Sequence, residues 1–318
     1  MATNQAVVVD QSDPSKLTIQ DVPMPNPSPS EALVRVSAIS LNRGETRRSF
    51  QAEDGWRPGW DLAGVVEQAA SDGSGPLVSE RVVGFLPEGA WAQHVVVPSQ
   101  SLAPLPDTVS FAQAATLPVA GLTALYALTK RGELLGRRVL VTGATGGVGD
   151  FAIQLSRLSG AHVVASVRRA DQVSEVHESG ADDVVIGDNI SDFAAYGPYD
   201  LVVESLGGTA LAAALGSLAK DGVCVSLGIS ASDESTFDVR KFFTTGRASL
   251  YGFILFDELH AESASAGLSR LAGLIANGKL IPRISIEASW AQIGVVAGQL
   301  LDRSFPGKAV LHVGNNEQ

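Results

Sequence analysis

The stretch "VLVTGATGGVGDFAIQL", Val139 to Leu155, decides the fold. Val139, Leu140 and Val141 are an unbroken apolar run of β-formers, the pattern of a strand covered on both faces. Gly143, Gly146, Gly147 and Gly149 then permit positive φ and close approach of another group. Phe151, Ala152, Leu155 and Leu158 recur at helical intervals. The reading is strand, tight turn, helix. A helix start presents unpaired N–H groups and the positive end of a dipole, so a glycine turn feeding one suits a pyrophosphate. Ala144, Gly146 and Gly149 keep the G-x-G-x-x-G spacing with alanine in the first place, and Thr145, Gly147 and Val148 complete the turn. Gly160, Ala161 and the strand "HVVASV" (162–167) follow where the second strand of a βαβ unit is due. A P-loop is ruled out because Asp150, not Lys, follows Gly149.

Outward from this stretch the chain changes character. Up to about Pro118 it is β-rich, with short segments such as "ALVRVSAISL", "DLAGVVEQA", "ERVVGFL" and "WAQHVVVP" separated by Gly and Pro. From Thr123 helix and strand alternate through "VLVTG", "HVVASV", "DDVVI", "DLVVES", "GVCVSLG" and "ASLYGFIL", the order of a doubly wound parallel sheet of about six strands. The tail adds a helix with Leu268, Leu271, Leu274 and Ile275 on one face, stopped at Asn277 and Gly278, then short strands "KLIPRIS" and "KAVLHV". The expected organisation is an α/β chain with three segments: 1–118 a β-barrel-like domain, 119–256 a dinucleotide-binding domain, and 257–318 returning to the first.

The chain has 318 residues, 45% hydrophobic, enough for two domains with real cores. A formal charge of −11 argues against nucleic acid, which needs a basic face. The single cysteine, Cys224, excludes an intrachain disulfide and a Cys-rich zinc cluster. With no basic-then-apolar leader and no apolar run of about 18 residues, a soluble cytoplasmic protein is expected.

The second strand ends "ASVRR", placing Ser166, Arg168 and Arg169 at the corner where an acid would grip a ribose 2′-OH and an arginine a 2′-phosphate. Paired arginines favour NADP(H) over NAD(H) through charge-assisted bonds.

Two family resemblances compete. "TGATGGVG" fits the T-G-x-x-x-G-x-G of short-chain dehydrogenases, but "YALTK" (Tyr126–Lys130), the one Y-x-x-x-K, lies upstream of the glycines rather than far downstream. The ordered set "ALVRVSAISLNRGE", "PGWDLAGVVE", "ERVVGF", "GAWAQHVVVP", "LPVAGLTALYAL", "VLVTGATGGVG" and "PGKAVLHV" resembles, over nearly the whole length, the medium-chain dehydrogenase/reductase (MDR) superfamily and its zinc-free quinone oxidoreductase branch. The resemblance implies a GroES-like β-barrel domain, a Rossmann domain, and a cleft between them for the nicotinamide. Zinc-dependent relatives place a Cys near Leu41 and a His-Glu pair where Trp60 and Asp61 stand, so no metal site is expected, with His94 and Asp61 structural.

Carried over residue by residue, the resemblance puts Asn42 at the nicotinamide ribose or substrate, Thr123 on the opposite wall, and Gly146, Gly147 and Val148 along the pyrophosphate. It puts Leu227, Gly228 and Ser230 beside the adenosine half, Phe253 and Ile254 beside the nicotinamide, and Arg303 and Lys308 near the phosphates. Gln172 and Asp188 stand where some NADPH-specific relatives have Lys and Tyr, and Arg43 replaces the Tyr that enoyl reductases often carry after the Asn. The implied chemistry is hydride transfer from NADPH to a quinone or an enone. Asn42 is the first candidate donor to the nascent oxyanion and Arg43 the second. Phe50, Trp56, Trp60 and Phe253 are read either as an apolar substrate wall or as ordinary core. The alternative function is an NADPH-binding protein with little turnover. Relatives commonly dimerise through the strand equivalent to "ASLYGFILF" (248–256), an apolar edge that invites pairing, so a homodimer is expected.

Overall fold

The computed structural model describes residues 3–314. Its contacts divide the chain into two compact units, Met1–Leu122 with Leu259–Gln318, and Thr123–Glu258.

The second unit holds six strands: Arg138–Val141, His162–Val167, Asp183–Ile186, Tyr199–Glu204, Leu218–Ser226 and Ser249–Gly252. All run parallel to their neighbours. Arg138–Val141 is central, with the second and third strands stacked outward on one side and the fourth, fifth and sixth on the other. The order reverses beside that first strand, which makes this the doubly wound Rossmann sheet and its switch point. Val139, Leu140, Val141, Val163, Val164, Leu201 and Val202 are buried, as continuous apolar strands require.

Two details depart from the sequence pattern. Helix Gly147–Leu158 buries Phe151, Ala152 and Leu155, but Leu158 reaches solvent in the last turn. The segment "ASLYGFIL" is a strand only over Ser249–Gly252, because the neighbouring strand ends at Ser226, the partner of Gly252. Beyond it the chain turns into the short helix Leu255–Glu258.

In the first unit a seven-stranded sheet runs Ile284–Ser289, Lys308–His312, Glu31–Ser40, Asp61–Gln68, Arg81–Phe85 and Leu102–Pro104, with His94–Pro98 also paired to Glu31–Ser40. A separate hairpin joins Thr3–Val9 to Leu17–Pro23. "KLIPRIS" gives a strand only from Ile284, since Pro282 lacks the N–H a ladder needs. Helix Ala264–Ala276 starts at Ser263, whose side chain accepts from Ala266 N–H, buries Leu268, Leu271 and Ile275, and stops before Gly278 at φ 65°. The core gathers Val34, Val36, Ile39, Leu62, Trp91 and Leu311. Among the described residues no helix is long and apolar enough to cross a membrane.

Candidate active site

The glycine turn is built by close packing of backbone on backbone. Gly143 sits at φ 57°, and a Cβ there would lie 2.5 Å from Ser205 Oγ. A Cβ on Gly149 would lie 2.5 Å from Gly143 O and 2.7 Å from Ala144 Cα. The third glycine is therefore demanded by the turn itself, which the first turn of the helix touches. Gly146, the N-cap residue of helix Gly147–Leu158, has no side-chain cap. It is exposed, and Thr145, Gly147 and Val148 are half-exposed, whereas the Ala144 methyl points inward. Among the described residues the helix's leading N–H groups thus lack a side-chain cap, which fits an anion such as a diphosphate.

The neighbouring strand ends brace this turn. Ser205 N–H donates to Thr142 Oγ1 at 2.9 Å, and Ser205 Oγ donates to Thr142 O at 3.2 Å. Buried Glu204 accepts from Leu206 N–H at 2.8 Å and from Gly207 N–H at 3.1 Å, while burial pushes its carboxyl above the usual range. Asp150, also buried, accepts from Ser179 Oγ at 2.6 Å and from Gln154 Nε2 at 2.9 Å. Glu204 has a visible signal in the sequence, an acid closing an otherwise apolar parallel strand beside a switch point.

At the second strand's end the three candidate residues separate. The Ser166 hydroxyl is buried and donates to Gly187 O at 2.9 Å. Arg169 is paired with Asp171 at 3.0 Å. Arg168 is exposed and among the described residues makes no side-chain contact of this kind, while Gln172 Oε1 accepts from the backbone N–H groups of both arginines and fixes the corner. At the fifth strand's end Leu227 N–H bonds Glu204 O, a Cβ on Gly228 would lie 2.9 Å from Ser205 O, and Ser230 Oγ donates to Ser205 O at 2.7 Å. Phe253 is buried and Ile254 exposed.

In the first unit the candidate residues Asn42, Arg43 and Lys308 all have partners inside the protein. Asn42 is the N-cap residue of helix Arg43–Gln51, and its Nδ2 donates to Glu45 Oε1 at 2.9 Å and to Asp61 Oδ2 at 2.8 Å. Both amide hydrogens are spent inside the protein, so Asn42 has none left for an oxyanion. Arg43 Nη1 donates to Leu300 O and Leu301 O, at the end of helix Ile293–Leu301, where a cation complements the dipole. Lys308, expected near phosphates, is 4% exposed, and its Nζ donates to Asn42 Oδ1 at 2.5 Å, Leu41 O at 3.0 Å and Asp61 Oδ2 at 3.3 Å. Asp61 Oδ1 accepts Val119 N–H at 2.9 Å, from the π turn Leu117–Gly121 that precedes Thr123. The signal for this cluster was the N-x-x-E spacing of Asn42 and Glu45, a capping-box pattern.

The positions of the zinc ligands in relatives do not fit a metal here. Leu41 is a buried apolar side chain, Trp60 lies over Gly44, and Asp61 holds Lys308. His94 Nε2 lies 3.2 Å from Glu67 Oε2. Among the described residues no group of three or more His, Cys, Asp or Glu is placed to hold a metal ion. Of the aromatic wall, Phe50 and Trp56 pack against the first unit's core, and Trp56 carries Arg48 4.5 Å above its ring and donates to Glu88 at 3.0 Å. Buried Thr123 opens the second unit, and Arg303 is exposed at φ 56°.

Comparison with known proteins agrees with this architecture. The alcohol dehydrogenase GroES-like domain model matches residues 28–107, and the zinc-binding dehydrogenase model matches residues 147–272. The chain is 30% identical over 298 residues to a chloroplast envelope quinone oxidoreductase homolog of Arabidopsis thaliana, covering 85% of this chain and 88% of that protein. It is 34% identical over 215 residues to a mycocerosic acid synthase-like polyketide synthase of Mycobacterium tuberculosis, covering 64% of this chain but only 10% of that much longer protein. A mycobacterial protein solved in complex with NADPH superposes with a TM-score of 0.86 at 25% identity, covering 97% of this chain and 99% of that one. Two family models in the expected order and a relative matched over most of both lengths settle the assignment: the chain belongs to the medium-chain dehydrogenase/reductase superfamily, in its quinone oxidoreductase-like branch.

Proposed function

We propose that the chain is an NADPH-dependent, zinc-independent oxidoreductase that reduces a quinone or an α,β-unsaturated carbonyl compound. The observation that carries this reading is the uncapped glycine turn at Ala144–Gly149, opening the helix at the Rossmann switch point. When bound, the reduced nicotinamide supplies a hydride to the acceptor. The turn's N–H groups hold the diphosphate, and Glu204 and Ser205 keep that turn in place through Thr142. Arg168 takes the 2′-phosphate, because its guanidinium is exposed while that of Arg169 is engaged by Asp171. The NADPH complex of the mycobacterial neighbour and the name of the Arabidopsis relative support cofactor and acceptor class. Quinones and enones also suit a first unit whose residues do not build the relatives' metal site, since they spread the arriving charge by conjugation.

A second reading, an NADPH-binding protein with little turnover, is favoured by one finding: both candidate oxyanion donors, Asn42 and Arg43, are hydrogen-bonded to partners within the protein. One assay separates the two. Protein, NADPH and a panel of o-quinones, alkenals and enoyl thioesters are mixed, and nicotinamide absorbance is followed. Oxidation with at least one acceptor supports the reductase, and tight binding without oxidation across the panel supports the second reading. Arg168→Asp is expected to weaken NADPH by about tenfold or more while leaving NADH nearly unchanged. Equal losses for both would remove the NADPH assignment.

The proposal includes a homodimer through the edge strand Ser249–Gly252. Every residue of this strand is exposed, with Leu250 44% and Tyr251 38% accessible, and such an edge pairs readily with a second copy. Light scattering is expected to give twice the chain mass; a monomer at micromolar concentration would sink it.

A further inference from the structure

Helix Arg43–Gln51, strand Asp61–Gln68, strand Lys308–His312 and the π turn Leu117–Gly121 meet around two carboxyls and one ammonium from which water is excluded. Glu45 and Asp61 are fully buried, and Lys308 nearly so. The charged groups facing one another are these three alone among the described residues, with Asn42, Leu41 O and Val119 N–H as their neutral partners. Two anions against one cation would leave a buried charge without compensation, which is among the costliest arrangements a protein can hold.

The hydrogen bonds show which acid gives way. Asp61 receives three donors, Lys308 Nζ and Asn42 Nδ2 on one oxygen and Val119 N–H on the other. Burial raises its carboxyl too, but the ammonium opposes that pull and matches its charge, so it is raised less than Glu45. Glu45 receives Asn42 N–H at 2.8 Å and Asn42 Nδ2 at 2.9 Å, both on Oε1. Its Oε2 is buried with no hydrogen-bond partner among the described residues. An ionised carboxylate with one naked oxygen is far harder to bury than a neutral acid carrying its proton there. Burial first, then the Asp61 charge, push the Glu45 carboxyl well above its usual value of 4.5.

We propose that Glu45 is held as a neutral carboxylic acid and that, with Asn42, Asp61 and Lys308, it forms a positioning cluster that locks the turn before Thr123 for cofactor binding. The Asn42 amide is clamped on three sides, so neither a flip nor a rotation is open to it. Asp61 holds the π turn through Val119 N–H, four residues before Thr123. Irregular turns of this kind recur at functional sites, where they set the direction of the next residues. The positioning half of the proposal rests on the NADPH reading above; the location of the proton does not.

Linkage gives the sign of the pH effect. The raised Glu45 value means that its contribution to stability is complete below the usual 4.5 and is lost as pH rises through the folded-state value.

Three chains test the proposal: wild type, Glu45→Gln and Glu45→Ala. Glu45→Gln keeps the acceptor at Oε1 and copies the neutral acid, whereas Glu45→Ala removes the acceptor. Infrared spectra near neutral pH are expected to show a protonated-carboxyl C=O band in wild type that Glu45→Gln lacks. Fluorescence titration is expected to keep the NADPH affinity of Glu45→Gln within about twofold of wild type and to weaken that of Glu45→Ala by about tenfold. On raising the pH, the melting temperature of Glu45→Gln is expected to fall less than that of wild type. A carboxyl band of undiminished intensity in Glu45→Gln, or a Glu45→Gln chain as impaired as Glu45→Ala, would overturn the proposal. If wild type shows the band yet binds no NADPH, the cofactor reading fails and the neutral acid stands.

Discussion

Lys308→Met is expected to cost the first unit about 3–5 kcal/mol, because it removes one partner of a buried ion pair and leaves Asp61 charged in a dry site. Methionine keeps the unbranched stem, so the loss reads the ammonium rather than a cavity. Asn42 Oδ1 and Leu41 O lose their donor in the same step. The second substitution Asp61→Asn in that background is expected to recover part of the loss, since it removes the stranded charge and still offers an oxygen acceptor to Val119 N–H, while its Nδ2 no longer accepts from Asn42. The readout is selective: all four tryptophans, Trp56, Trp60, Trp91 and Trp290, belong to the first unit, so urea unfolding followed by tryptophan emission reports that unit alone. A single variant as stable as wild type would show that the pair is not buried as described.

Gly149→Ala carries the second large effect. The new methyl would meet Gly143 O, Ala144 Cα and Ala144 O at 2.5 to 2.8 Å, and all three are backbone atoms that cannot swing aside like a side-chain tip. The helix start must then lift off the turn, at about 1–3 kcal/mol for overpacking. The same lift moves the N–H groups proposed to hold the diphosphate, and NADPH affinity is expected to drop by about tenfold or more. Denaturant unfolding followed by far-ultraviolet circular dichroism and an NADPH titration measure the two losses. Unchanged affinity despite a measurable loss of stability would remove the diphosphate from this turn.

The Rossmann half was legible because its signals are local. A positive φ at Gly143 and the contact at Gly149 admit little but glycine, and the apolar runs on either side mark strand and helix within a few residues. The first unit's site was hidden because its partners are distant along the chain. Lys308 and Asn42 are 266 residues apart, and Asn42 and Asp61 are 19. No periodicity links such positions. Asn42, Arg43 and Lys308 therefore read as polar groups available to a ligand, and only the fold reveals that each already has partners inside the protein. The partner of Ser166 is nearer but equally unreadable from periodicity: the end of the neighbouring strand brings Gly187 O within 2.9 Å, and the hydroxyl turns to it.

The strand Lys308–His312 lies inside the first unit's sheet, between Ile284–Ser289 and Glu31–Ser40. During translation, then, the opening third of the protein leaves the ribosome with residues 38–40 unpaired at the edge of its sheet and with Asp61 lacking its counter-ion. The continuous middle segment has every strand it needs as soon as residue 252 has emerged. Nascent chains should complete the interior unit first and keep the leading segment waiting for the last strand, a window in which the short edge at residues 38–40 is open to chaperones or to misassembly.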